Sequence, residues 1–249
     1  LFINVAYDKQ LIDKYDEHGM VIGNIDITDR SKIYLFLQQL HKTNTYKYIF
    51  LDVRFEEGYN VPEVDAQLFN EIADMKRIVV ATHSDSQPLN NLICSKLAIS
   101  DYKSTIVATN FIRYQYLHDD KESMPLFAYR ELTGHTIRES TPFIYTDNNK
   151  LCNKSVFVRF PLNRWDEYDK EGNKSYLNLG SDILENYSEK DIAELVKGKY
   201  IVIGDMIEDI HDTYAGLRPG PVITYSSFIE LLNGKHIVSC RLMYFLACI

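Results

Sequence analysis

Short apolar runs alternate along the chain with stretches whose apolar residues recur every three or four positions. Phe2-Ile3-Asn4-Val5-Ala6 suits a strand. Ile33, Phe36, Leu37 and Leu40 then fall at helical spacing behind Asp29, a side chain suited to an N-cap. Tyr48 to Val53 (YIFLDV) is a short apolar run that reads as a buried strand. Val64, Leu68, Ile72 and Met75 mark a second amphipathic helix starting just after Pro62, and Arg77 to Ala81 (RIVVA) a further β-branched strand. Residues 84–150 are less regular, with a weak strand near Thr105–Thr109 and a helix from Ser123 to Leu132. Ser155 to Phe160 alternates and predicts a strand, while 163–175 reads as an exposed polar excursion.

The last third is clearer. Ser188 with Asp191 opens a short helix carrying Ile192, Leu195 and Val196, and Gly198 fits its C-terminal cap. Lys199 to Gly204 (KYIVIG) predicts a strand ending in glycine. After a polar loop, Pro221 can occupy the first turn of a helix that places Tyr225, Phe228, Ile229 and Leu232 on one face and ends at Gly234. Strands alternating with helices predict an α/β fold, a mostly parallel central sheet covered by helices. No repeat, low-complexity tract or Gly/Ser/Pro linker divides the chain, so it reads as one domain with an irregular middle insertion.

Composition narrows function mainly by exclusion. The 249 residues suffice for one large core, and 25% charged with 12% aromatic residues is wrong for a disordered chain. A net charge of −8 argues against a nucleic-acid partner, which needs a basic patch to neutralise phosphates. The chain begins at Leu1 without a signal-peptide pattern and reads as a fragment. Its apolar end, Leu242 to Ile249, is too short to span a bilayer, so it is either the clipped start of a span or a core element. Among the cysteines, Cys240 and Cys248 would stand about 12 Å apart on a helix, too far to bridge, and Cys94 and Cys152 pair only if the fold unites them. No CxxC, HExxH or Cys/His cluster suggests a metal site, and no GxGxxG, Walker A or GxSxG motif suggests a nucleotide or hydrolase site.

Ligands of open α/β sheets bind beyond the carboxyl ends of the strands. Two such ends carry chemistry: Asp52-Val53-Arg54, and the segment from Gly204 to Asp212. The second places four carboxylates (Asp205, Glu208, Asp209, Asp212) and the imidazole of His211 within eight residues. Such a cluster can bind a cation or perform acid–base work, or it can be a solvated acidic loop whose carboxylates cap the next helix or pair with Arg218. Its spacing matches no calcium loop. Asp52 suggests a nucleophilic aspartate, but Arg54 stands where a phosphatase of that kind needs a second acid; a structural role is the other reading. His83 and Cys94 suggest a dyad, or a surface imidazole and a small buried thiol. Arg30, beside Asp29, reads as a surface or loop-bridging arginine.

Three blocks carry a family resemblance. Gly198 to Gly204 (GKYIVIG), the Asp/His loop, and Arg218-Pro219-Gly220-Pro221-Val222 opening a helix to Gly234 resemble the C-terminal block of CHASE domains of the second type. FINVAYD (2–8) with Asp29-Arg30, and YIFLDVRF (48–55), resemble that family's first two strands. One departure is Thr213-Tyr214 in place of the family's Thr-Pro. The resemblance implies that residues 1–238 form an extracytoplasmic sensory domain of a membrane-anchored signalling protein, with 239–249 the start of a truncated transmembrane helix. Arg30, Gly204, Pro219 and Gly220 would be its structural motif. The ligand-binding candidates are Asp52, Asp205, Asp209, His211 and Asp212. The implied partners are an unidentified small molecule or protein signal, the membrane through flanking segments, and a possible second copy in a homodimer; no cofactor is implied. The alternatives are an α/β hydrolase or phosphatase using the acidic strand ends, and an ectodomain that only dimerises or docks another protein.

Overall fold

A computed structural model describes residues 1–55, 60–84, 90–101, 113–118, 121–141, 144–160, 165–168 and 171–238. The chain opens with β1 (Phe2–Asn4) and a hairpin of β2 (Lys9–Tyr15) and β3 (Val21–Thr28) that leads into α1 (Arg30–Thr43). Next come β4 (Tyr48–Asp52), α2 (Pro62–Asp74), β5 (Ile78–Thr82), a 3-10 turn and β6 (Leu97–Ile99). The middle holds β7 (Arg113–Gln115), β8 (Leu117–His118), β9 (Lys121–Glu122) and α3 (Met124–Thr133), then β10 (Ile137–Thr141), β11 (Ile144–Asp147), β12 (Lys150–Cys152) and β13 (Ser155–Phe157). The last third runs through β14 (Leu177–Asn178), a π-helical turn, α4 (Glu189–Val196), β15 (Tyr200–Gly204), a hairpin of β16 (Ile210–Thr213) and β17 (Gly216–Pro219), and α5 (Gly220–Leu232).

Six of these strands form an all-parallel sheet in the order β14-β1-β15-β4-β5-β6, with helices on both sides: an α/β fold. The central strands are apolar throughout because both faces are covered. Ile49, Leu51, Ile78, Val80, Ile201 and Ile203 pack with α1, α2 and α4. Their alternating neighbours Tyr48, Phe50, Val79, Ala81 and Val202 pack with α3 and α5. Two-residue periodicity in the strand and three-to-four-residue periodicity in the helices thus meet in two cores, one on each face.

Local signals set several helix ends. The Asp29 carboxylate accepts from the Ser31 and Lys32 amides at 3.0 and 3.2 Å, filling two of the donors that a helix start leaves open. Ser188 and Asp191 form a reciprocal capping box on α4. Pro62 is itself the first residue of α2, and Gly134 ends α3 with φ +75°.

Several expectations are corrected. Arg30 is buried rather than on the surface: 3% of it is exposed, and its guanidinium meets Asp65 at 2.6 Å. The polar loop after Gly204 contains the β16–β17 hairpin. The β2–β3 hairpin and the β10–β11–β12 meander were not foreseen, because they pair apart from the central sheet and carry no run of core-facing residues. The strand expected over Ser155–Phe160 stops at Phe157. Within the expected polar excursion, Trp165 packs edge-on against Phe2. Cys94 is exposed and Cys152 buried, and both are free thiols. The strand expected near Thr105–Thr109 and the apolar end over 239–249 lie outside the described residues. Among the described residues no helix is long and apolar enough to cross a membrane.

Candidate functional site

Connections leaving neighbouring strands on opposite faces open a crevice at the strands' carboxyl ends. β4 leads to α2 on one face, while its neighbour β15 leads to α5 on the other. Asp52 and Gly204, the last residues of these strands, are register partners, so the crevice opens directly beyond them.

Two glycines let the walls of this crevice close up. A Cβ on Gly204 would lie 2.5 Å from the Pro221 ring and 3.1 Å from the Asp52 Cβ, so the first turn of α5 seats on the strand ends only because no side chain intervenes. At Gly220 a Cβ would overlap the Asp209 carboxylate, and the Gly220 amide donates to the Asp209 carbonyl at 2.8 Å. Asp209 is thereby held against the N-terminus of α5, where the helix dipole favours negative charge. Pro219 closes β17 opposite Ile210 and sets the backbone that enters the helix.

The polar side chains converge here. The His211 imidazole meets the Asp209 carboxylate at 2.9 Å through Nε2. Asp52 bonds the hydroxyl of Thr224, which is fully buried one turn into α5. Burial pushes the Asp52 carboxyl up to about 7, and the negative charge of Asp209 adds to the rise; His211, Arg54 and the Thr224 hydroxyl act against it without cancelling it. Tyr114 borders the network: its phenol lies close to Ser123, Thr224 and Asp52 and is raised far above its ordinary value, first by burial and then by the Asp52 charge.

A second ion pair stands beyond β5 and β6. His83 meets Asp101 at 2.9 Å, and the Ser84 hydroxyl and amide donate to the same carboxylate. Partial burial opposes ionisation of Asp101, but the Ser84 hydrogen bonds and the nearby His83 and His118 outweigh it and hold the acid below its usual value. The alternative of a His83–Cys94 dyad does not form, since His83 turns to Asp101 while the Cys94 thiol lies near Asn90 and Asn91, exposed rather than buried.

Of the five ligand-binding candidates, Asp52, Asp209 and His211 come together. Asp205 bonds the amides of Ile207 and Glu208 at 2.9 and 2.7 Å, closing its own turn, with Lys9 at 3.9 Å. Asp212 is exposed on β16 opposite Leu217. Arg30 belongs to another locus, bridging the start of α1 to Asp65 in the first turn of α2. Sequence reasoning missed Thr224 and Tyr114. A hydroxyl three residues after Pro221, in the turn that seats on the strand ends, was a usable signal; Tyr114 lies in a segment without periodicity and gave none.

Among the described residues no three His, Cys, Asp or Glu side chains converge tightly enough to hold a metal ion. Two carboxylates in unlike environments, an imidazole, an arginine and two hydroxyls suit a small polar molecule, or proton exchange near neutrality. No known protein family, curated protein or solved structure matches this chain.

Proposed function

We propose that the chain is the extracytoplasmic sensory domain of a membrane-anchored signalling protein, and that the crevice over β4 and β15 receives its signal. The observation that carries this reading is Asp52, a carboxyl held near neutrality at the switch point of the sheet, with Asp209, His211 and Thr224 gathered around it. The resemblance of 198–234 to CHASE domains of the second type supports the sensory role. A sensor must bind its signal unequally in two states, and α5 offers the mechanical link. Its first turn rests on Asp209. Just beyond its end, buried His236 bonds the Asp147 carboxylate at 2.8 Å, and the backbone at 236–238 pairs with β12 and its neighbour Asn153. A ligand that draws Asp209 or Asp52 toward itself shifts the seat of α5, and the helix carries that shift to its anchored far end.

A thermal-shift screen with small metabolites and divalent cations tests the proposal. Compounds that raise the melting temperature of the native chain and lose that effect in Asp52→Asn are expected. A panel that stabilises both proteins equally, or neither, removes the crevice from the account. The second reading, hydrolysis or phosphoryl transfer with Asp52 as acid–base, draws on the same near-neutral carboxyl. Turnover of generic phosphate or carboxylate esters that vanishes in Asp52→Asn would favour it over sensing.

A further inference from the structure

The β2–β3 hairpin stands apart from both cores, and among the described residues β2 pairs with β3 alone. A two-stranded ribbon is marginal in water by itself and gains stability from a further strand. The ladder fixes which groups such a strand would meet. At one end of the hairpin the Asp29 amide donates to the Asp8 carbonyl at 2.8 Å, and at the other the Asp16 amide donates to the Met20 carbonyl at 2.9 Å. Antiparallel ladders alternate, so the even residues of β2 face β3, while Lys9, Leu11 and Asp13 turn their N–H and C=O groups to the open edge. The side chains of these three share a face with Tyr15. Leu11 is 68% exposed, Tyr15 57%, and Tyr7, two residues before the strand, 69%.

This edge is complementary to itself. An antiparallel copy of β2 on a two-fold axis at Leu11 sets the two Leu11 residues against each other as a hydrogen-bonded pair. The same register puts Lys9 of each copy opposite Asp13 of the other and brings Tyr15 alongside Tyr7. Neither charge is fully answered within the chain. The Lys9 ammonium stands 3.9 Å from Asp205 and 3.8 Å from Glu208, and the Asp13 carboxylate receives the Tyr15 hydroxyl at 3.5 Å. These charges discourage an unrelated strand, which would leave them unpaired. The edge of β3 lacks the property: its outward residues Asn24, Asp26 and Thr28 carry one charge, which a two-fold sets against itself or an uncharged side chain. We propose that the domain forms a two-fold dimer through β2, building a four-stranded antiparallel sheet in the order β3-β2-β2-β3. The interface does not depend on what the Asp52 crevice binds.

Sedimentation equilibrium of the native chain over a range of concentrations tests this. One short strand per copy falls at the small end of specific interfaces, so half-dimerisation at roughly 0.1 mM is expected. Lys9→Asp places carboxylate against carboxylate on both sides of the axis, and Asp13→Lys ammonium against ammonium. Each variant alone should associate about tenfold more weakly or worse. Both positions are exposed, so neither change touches the core. An equimolar mixture of the two variants restores both opposite-charge pairs and should dimerise as the native chain does, a recovery that neither misfolding nor a different interface can produce. The proposal is overturned if the native chain stays monomeric at about 1 mM, tenfold above the expected midpoint. It is equally overturned if the single variants dimerise as well as the native chain, or if mixing them recovers nothing of what each has lost.

Discussion

Two acids near the carboxyl edge of the sheet meet opposite fates. Asp65, in the first turn of α2, is buried with Arg30 at 2.6 Å and the Val61 amide at 2.7 Å, so its charge is fully answered. Asp52, at the end of β4, has a hydroxyl, a second carboxylate and partners that only partly offset its burial. The first arrangement locks α1 to α2 and leaves no capacity for a ligand. The second keeps a carboxyl poised between protonation states. A fold spends stability at such places, and they are where binding or proton transfer is to be sought.

The largest expected effect comes from breaking the satisfied pair. Arg30→Ala strands the Asp65 charge in the core and should destabilise the chain by about 3–5 kcal/mol, measured by denaturant unfolding. Gly204→Ala should follow, at about 1–3 kcal/mol, because its methyl must displace the Pro221 ring and with it the seat of α5. It should also disturb ligand-dependent melting more than Arg30→Ala does.

Asp52→Asn should act with the opposite sign. The folded carboxyl titrates near 7 against 3.8 for the ordinary side chain, so the folded state holds an extra proton between these values. Stability conferred by that proton is present at low pH and falls as pH rises through the window. Allowing for partial solvent access, Asp52→Asn should stabilise the chain by roughly 2 kcal/mol at pH 8 and by little at pH 4, read from melting curves across pH. The smallest effect belongs to Asp205→Ala, which loses only turn hydrogen bonds, about 1 kcal/mol, and should leave the Asp52 titration unmoved.

The contrast between the two acids was only half visible in the sequence. The double-sided sheet was legible because burial on both faces leaves uninterrupted runs such as YIFLD, and the helices because their core-facing stripes repeat. The rule that strand ends bind ligands pointed to Asp52, Asp205, Asp209, His211 and Asp212, of which the fold brings Asp52, Asp209 and His211 together. What failed was anything set by distant pairing. Arg30 sits 35 positions from Asp65, and no local pattern distinguishes a buried arginine from a solvated one. Nor does local pattern separate Asp205, consumed by its own turn, from Asp209, pressed against Gly220 four residues later. The β2–β3 hairpin exposes Leu11, Tyr15, Met20, Val21 and Ile22 to solvent, so its apolar residues do not mark a core.

The most direct measurement is a carbon-detected NMR titration of the Asp52 carboxyl, assigned by its loss in Asp52→Asn. A midpoint near 7 that falls in Asp209→Asn is the predicted result. A midpoint near 3.8, unchanged when Asp209 is neutralised, would mean that the crevice holds an ordinary solvated carboxylate and would contradict the account.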